Sequence, residues 1–176
     1  NTGEQANVGQ PATVSREATG TSGFRNSGEV TSRVVSNWNG FVSALNDSSI
    51  RNITISGNVV ATGDNGNTDN GRANSVDRTV TINSQGRNLI IQGRNNQASL
   101  DLLSNSLKFT GSSAWNLVFK NLQLATGNSK GVMDLSSTAG FNTVTFENVE
   151  SQGSSLYGGG GNTDVIVKGK TTSTVS

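Results

Sequence analysis

The stretch LVFKNLQL, Leu117–Leu124, and the stretch VTFENVES, Val144–Ser151, superpose residue for residue at one fixed offset. Leu117 falls on Val144, Phe119 on Phe146, Asn121 on Asn148 and Leu122 on Val149. Both alternate apolar with polar side chains, the period of a strand with one covered face. The register extends backwards: Phe119 follows Ile91 at nearly the same offset, and Ile82 follows Ile55 at that same offset, where VTI repeats ITI. A repeat of about 20–50 residues is what a stacked coil produces when each turn covers the apolar face of the last, and this offset falls inside that range. Sequential strands of a sandwich need no such lateral echo. At roughly 25 residues per turn, residues 50–176 make about five turns.

Outward from these two stretches, further short apolar and polar alternations stand between Gly, Asn and Ser turns. Nine strands are read: Ile53–Val59, Arg78–Ile82, Asn88–Ile91, Ser99–Leu102, Ser106–Phe109, Leu117–Leu124, Val132–Leu135, Val144–Val149 and Val165–Val167. Without helical partners they predict an all-β chain. Asn121 in register with Asn148 predicts a corner ladder, because Asn tolerates left-handed backbone and its amide bonds along a stack. Lys120 and Glu147, at the same offset, are read as outward neighbours on adjacent turns, an exposed pair contributing about 0–1 kcal/mol. Thr54 and Thr81 are read as one outward row, which raises an ice-binding face. Ile90 and Val118 at the following positions break that row.

One helix interrupts the pattern. In SNWNGFVSALND, Trp38, Phe41, Val42 and Leu45 recur at i, i+3, i+4 and i+7, behind Ser36 or Asn37 as N-cap. This helix, about residues 37–46, is expected to close the open end of the coil. Residues 1–29 read as a polar leader lying along the folded part, and residues 30–176 as the solenoid domain.

Composition agrees with a thin, regular core. Asn (23), Ser (24), Thr (19) and Gly (22) supply half of the 176 residues, and hydrophobic residues only 31%. The net charge of +1, from 13 Lys+Arg and 12 Asp+Glu without like-charge blocks, argues against nucleic acid and anionic membrane as partners. No apolar run approaches the roughly 18 residues of a membrane span, so no membrane insertion is expected. The absence of Cys and His removes thiolate nucleophiles, Ser-His-Asp chemistry and the commonest metal ligands. The start at Asn1, without a basic and apolar leader, reads as a mature or excised segment.

The excursion Ala61–Asp77 is rich in side-chain oxygens, from Asp64, Asn65, Asn67, Asp69 and Asn70, yet its spacing does not fit a calcium loop, and no bound metal or other cofactor is expected. A loop of this length is more often functional than idle, and it is expected to overhang a groove with Arg72 and Arg78. Acidic sugars are held by Arg and Lys. Arg87, Lys108 and Trp115 enter as candidates beside them, although Trp115 shares the inward parity of Leu117 and Phe119. The ligand-binding set is Arg72, Arg78, Arg94, Lys120, Lys130 and Tyr157. The run Gly158–Gly161 has no helix behind it, so it is not a phosphate cradle. The acids occur singly, on different turns, and no catalytic residue is assigned.

The combination SNWNGFVSALNDSSIRNITISGNV, RTVTINSQGRNLIIQG, LVFKNLQL and TFENVESQGSSL resembles the pectate-lyase-like adhesive domain of Gram-positive surface proteins, in particular the binding region of serine-rich-repeat adhesins of lactobacilli. The resemblance covers about residues 34–170. It implies a right-handed parallel β-helix with a helical N-terminal cap, and a secreted, cell-wall-anchored setting. It also implies non-catalytic binding to host mucin or mucus, to epithelial glycoproteins or to acidic polysaccharides. The alternative it leaves is a Ca²⁺-dependent polysaccharide lyase, although the Asp-His pair of true pectate lyases has no counterpart in a chain without His. The last turn, DVIVKGK, lacks a capping segment, which reads as trimming or as association at that end.

Overall fold

The computed structural model describes residues 31–62, 78–138, 140–153, 157–158 and 162–175. The leader over 1–29 and the calcium-like residues of the 61–77 excursion lie outside them. Every strand pair is parallel, and each strand pairs with its counterpart one turn later. The first face stacks β1 (Ser32–Val35), β2 (Asn52–Ile55), β5 (Asn88–Gly93), and the leading halves of β8 (Asn116–Thr126) and β10 (Asn142–Gly153), then β12 (Thr163–Lys168). The second stacks β3 (Asn58–Val60), β6 (Ser99–Asp101), the trailing halves of β8 and β10, and β13 (Thr172–Val175). The third is a separate sheet of β4 (Arg78–Ile82), β7 (Asn105–Gly111), β9 (Met133–Thr138) and β11 (Tyr157–Gly158). The chain is thus a parallel β-helix.

Successive turns need inward side chains in register, and the sequence supplies them as columns. Ile53, Ile91, Phe119 and Phe146 are register partners, all fully buried, and the last two rings stack at 5.6 Å. Leu89, Leu117 and Val144 form a second column, and Val59, Leu100 and Leu124 a third on the next face. Between the first two faces the backbone turns at Asn121 and Asn148, both left-handed at φ 54° and 55°. Asn148 Nδ2 donates to Asn121 Oδ1 at 3.4 Å, and Asn148 Oδ1 accepts from Lys170 N at 3.0 Å, so the expected ladder forms and runs on into the last turn. Gly93 precedes them in the column, where a Cβ would run into the Asn121 carbonyl oxygen.

The helix α1 (Trp38–Leu45) starts behind Asn37, whose side chain accepts from Gly40 N at 2.8 Å. Trp38, Phe41, Val42 and Leu45 are buried in the same core as the columns, so the helix caps the coil as its spacing predicts.

Three expectations change. Ile53–Val59 is not one strand: Gly57, at φ 78°, breaks it into β2 and β3 on different faces. The echo of ITI in VTI is not a register. Ile55 pairs with Gly93 on the first face, whereas Ile82 pairs with Phe109 on the third. Thr54 and Thr81 are therefore not neighbours, and no threonine row exists there. The cause is turn length. Along the first face Asn52 meets Ile90, Ile90 meets Val118, Val118 meets Thr145 and Thr145 meets Ile166, so the first step is the longest, the two middle ones nearly equal and the last the shortest. The 61–77 excursion lengthens the first step, so the offset common to the middle turns, counted from β2, lands on β4.

Candidate functional site

Outward residues form columns as strict as the inward ones. On the first face Thr54, Gln92, Lys120, Glu147 and Lys168 are successive register partners. Lys120 and Glu147 are half-buried neighbours, as the spacing predicts, and Lys168 is exposed above them. Arg94, exposed just beyond Gly93, is fixed by its backbone N–H to the Ile55 carbonyl at 2.8 Å. Arg94 and Lys120 thus stand at one corner of adjacent turns.

The third face carries the other group. Thr81, Lys108 and Asp134 are outward register partners, and Arg78 opens the same face in register with Asn105. Beside them Asn128 is 2% exposed and acts as a clamp. Its Nδ2 donates to the carbonyls of Arg78 (2.8 Å) and Ser104 (3.0 Å), and its Oδ1 accepts from Lys130 N at 2.8 Å. The backbones of exposed Arg78 and exposed Lys130 are thereby tied to one side chain although far apart in sequence. Asp134 is buried at 5% exposure and accepts from Ser136 N at 2.8 Å. Burial pushes its carboxyl upward, but the Ser136 hydrogen bonds, Lys130 and Lys108 outweigh that and hold it below its ordinary value. Lys108 and Lys130 stand around the Asp134 carboxylate, with Arg78 in register on the same face, and cationic side chains of this kind pair with carboxylate or sulfate groups.

The predicted ligand set is thus divided. From Lys120 at the corner to Thr126 at the end of β8 the chain runs the length of the second face. Arg94 and Lys120 lie on one side of that strand, and Arg78 and Lys130 beyond it. Tyr157 begins β11 in register with Met133, on the face of Arg78 and Lys130. Arg72 lies outside the described residues. Arg87 is not a ligand candidate: it is 7% exposed, its guanidinium bonded to the carbonyls of Ala44, Leu45 and Ile50 and 5.3 Å from the centroid of a Trp115 ring. Trp115 is fully buried, as its parity predicts. Among the described residues no group of three or more acidic, Cys or His side chains gathers to hold a metal. The clamp was not foreseen. Its only sequence signal is TGNSKG after a strand, a turn composition shared by many loops.

This solenoid coincides with a known family. Residues 32–157, from β1 to the first residue of β11, match the pectate lyase-like adhesive domain. The chain belongs to that family. Among solved structures the adhesive domain is similar to a serine-rich repeat protein of L. reuteri 53608, at 26% identity and a TM-score of 0.61. That similarity covers 80% of this chain and 43% of the other, so the adhesive domain spans less than half of that chain's length. No curated protein matches it. The family is defined by adhesion, and the columns of the adhesive domain supply what adhesion needs: a rigid surface on which side chains repeat at the spacing of strands, about 4.8 Å.

Proposed function

We propose that this adhesive domain is the ligand-binding head of an adhesin on the outside of a Gram-positive cell, holding glycans without turning them over. The glycans are those of host mucin or epithelial glycoproteins, or acidic polysaccharides. The observation that carries the reading is the basic edge of Arg78, Lys108 and Lys130, in which Asn128 fixes the backbone of Arg78 and Lys130, on a domain of an adhesive family. A clamped backbone lowers the ordering cost of binding, so modest contacts suffice. Exposed Arg and Lys attract acidic sugars over about a Debye length, which makes such binding sensitive to salt. Many copies on one surface then multiply weak contacts through effective concentration.

The test is binding of the chain to immobilised mucin and to polygalacturonate across salt concentrations. The pair Arg78→Ala and Lys130→Ala is expected to weaken binding about tenfold, and high salt to abolish it. Retained affinity in that pair, with loss in the pair Arg94→Ala and Lys120→Ala, would move the site to the corner. Absence of binding to either polymer would overturn the reading. So would release of unsaturated sugar from polygalacturonate that requires Ca²⁺ and stops with EDTA, which marks a lyase.

A further inference from the structure

A second polar feature lies on the third face toward the capped end, two residues along β7 from Lys108. The segment after α1 (Asn46 and Ser48), the turn after β4 (Asn83, Ser84 and Gln85) and the end of β7 (Thr110 and Gly111) enclose an open depression of about 330 Å³. That volume stands at the lower end of the roughly 300–1,000 Å³ of small-molecule sites. No charged side chain lines it. Asp47, which lies between two lining residues, spends its carboxylate on Ser49 N (3.0 Å), Ser49 Oγ (2.7 Å) and Arg33 Nη2 (3.1 Å).

What distinguishes this depression from ordinary polar surface is that the side chains of Asn46, Ser84 and Gln85 are fixed by hydrogen bonds to neighbouring segments. Asn46 Oδ1 accepts from Asn83 N at 2.8 Å while its Nδ2 donates to the Val42 carbonyl at 3.1 Å. Gln85 Oε1 accepts from Ser112 N (3.3 Å) and Ser112 Oγ (3.1 Å). Ser84 Oγ accepts from the buried Arg87 Nη1 at 3.1 Å. Among the described residues, the two N–H groups of Gln85 Nε2, the side-chain amide of Asn83 and the hydroxyl of Ser48 have no protein partner. Amides and hydroxyls with unspent donors and acceptors, Gln85 among them held in place by Ser112, suit a ligand whose own groups each donate and accept. Neighbouring hydroxyls on a pyranose ring are of that kind. Gly111, at φ 111°, keeps the floor open, because a Cβ there would press on the Ser84 carbonyl oxygen at 3.1 Å and on Gln85 Oε1 at 3.4 Å.

We infer that this depression is a separate subsite for one neutral pyranose unit, recognised by Gln85, Asn83 and Ser48, distinct from the basic edge that takes acidic sugars. It lies at the capped end of the coil, so one glycan chain bearing both neutral and acidic units has two kinds of contact available on the domain. The inference does not depend on the acidic-sugar reading, and its test is separate.

The test titrates the ¹⁵N-labelled chain with the methyl glycosides of galactose, glucose, mannose and N-acetylglucosamine, and with methyl galacturonoside as the charged counterpart of the first. At least one neutral glycoside is expected to shift the side-chain amide signals of Gln85 and Asn83 at millimolar concentration. Gln85→Glu keeps the oxygen that Ser112 needs but removes both donors, and is expected to weaken those shifts about tenfold while leaving polygalacturonate binding unchanged. The galacturonoside is expected to bind there several-fold more weakly than its neutral partner, because no charged side chain lines the depression and the nearby Arg33 and Arg87 are spent on Asp47 and on backbone carbonyls. Failure of every neutral glycoside to move these signals would overturn the inference, as would shifts undiminished in Gln85→Glu or equal binding of the uronate.

Discussion

Arg87 joins the helix to the coil, and its chemistry explains why it does not serve a ligand. A helix leaves its last carbonyls without partners, and α1 has no basic residue of its own in its last turn. The guanidinium from the start of β5 satisfies Ala44 and Leu45 at 3.2 and 3.1 Å, takes Ile50 at 2.7 Å, and lies against Trp115. Only a planar fork reaches several acceptors at once. Replacing it by Met keeps the stem but leaves those carbonyls unpaired, and hydrogen bonds to a charged group contribute about 1.5–3 kcal/mol. Arg87→Met is therefore expected to lose about 3 kcal/mol of stability in urea unfolding, and Arg87→Lys to recover less than half of it. A loss below about 1 kcal/mol in Arg87→Met would show that water satisfies the helix end as well as the arginine does.

At the scale of an element, β9 carries a buried carboxylate whose ionisation belongs to the fold. Asp134 is held below its ordinary value of 3.8 against the upward push of its burial, by Ser136, Lys130 and Lys108. A group with a depressed folded pKa contributes stability that is present above its unfolded pKa and is lost as pH falls through the folded one. Asp134→Asn is thus expected to melt below the parent chain at pH 7, and the gap to close below about pH 4. A gap that stayed constant down to pH 3 would mean that the carboxylate's charge is not what stabilises β9. The same element shows how far the sequence could be read. The columns through β8 and β10 were legible because the middle turns are nearly equal in length, so Phe119 and Phe146 announce each other. The third face was less legible, because the first turn, which carries Asn52 to Ile90, is much longer than those that follow and shifts β4 out of the common register. The basic residues of the site were legible as charges, but their grouping was not. Arg78 meets the turn of Lys130 through Asn128, 50 residues away, a contact that no local pattern encodes.

At the scale of the described solenoid, its first and last turns differ. At one, Trp38 and Phe41 of α1 cover the columns at 2% and 0% exposure. At the other, β12 pairs with β10 on one side, and among the described residues no strand pairs with its outer edge. Val165 and Val167, in register with fully buried Val144 and Phe146, are 45% and 59% exposed, with Ile166 at 40% beside them. An unpaired edge with apolar side chains recruits another strand. At the opposite end β1 is also an edge strand and its Val34 is 60% exposed, but α1 covers the columns there, so the contact expected is between two like β12 ends. Such a self-complementary contact closes on a two-fold axis and stops at a dimer. This chain in solution is therefore expected to show a monomer–dimer equilibrium in sedimentation, with no larger species. Val165→Lys with Val167→Lys places charges on the edge and is expected to leave only monomer with its melting temperature little changed, since both positions are already exposed. A parent chain that stays monomeric at high concentration would show that the exposed rung does not hold a partner, and open-ended oligomers would show that the helical cap does not close its end.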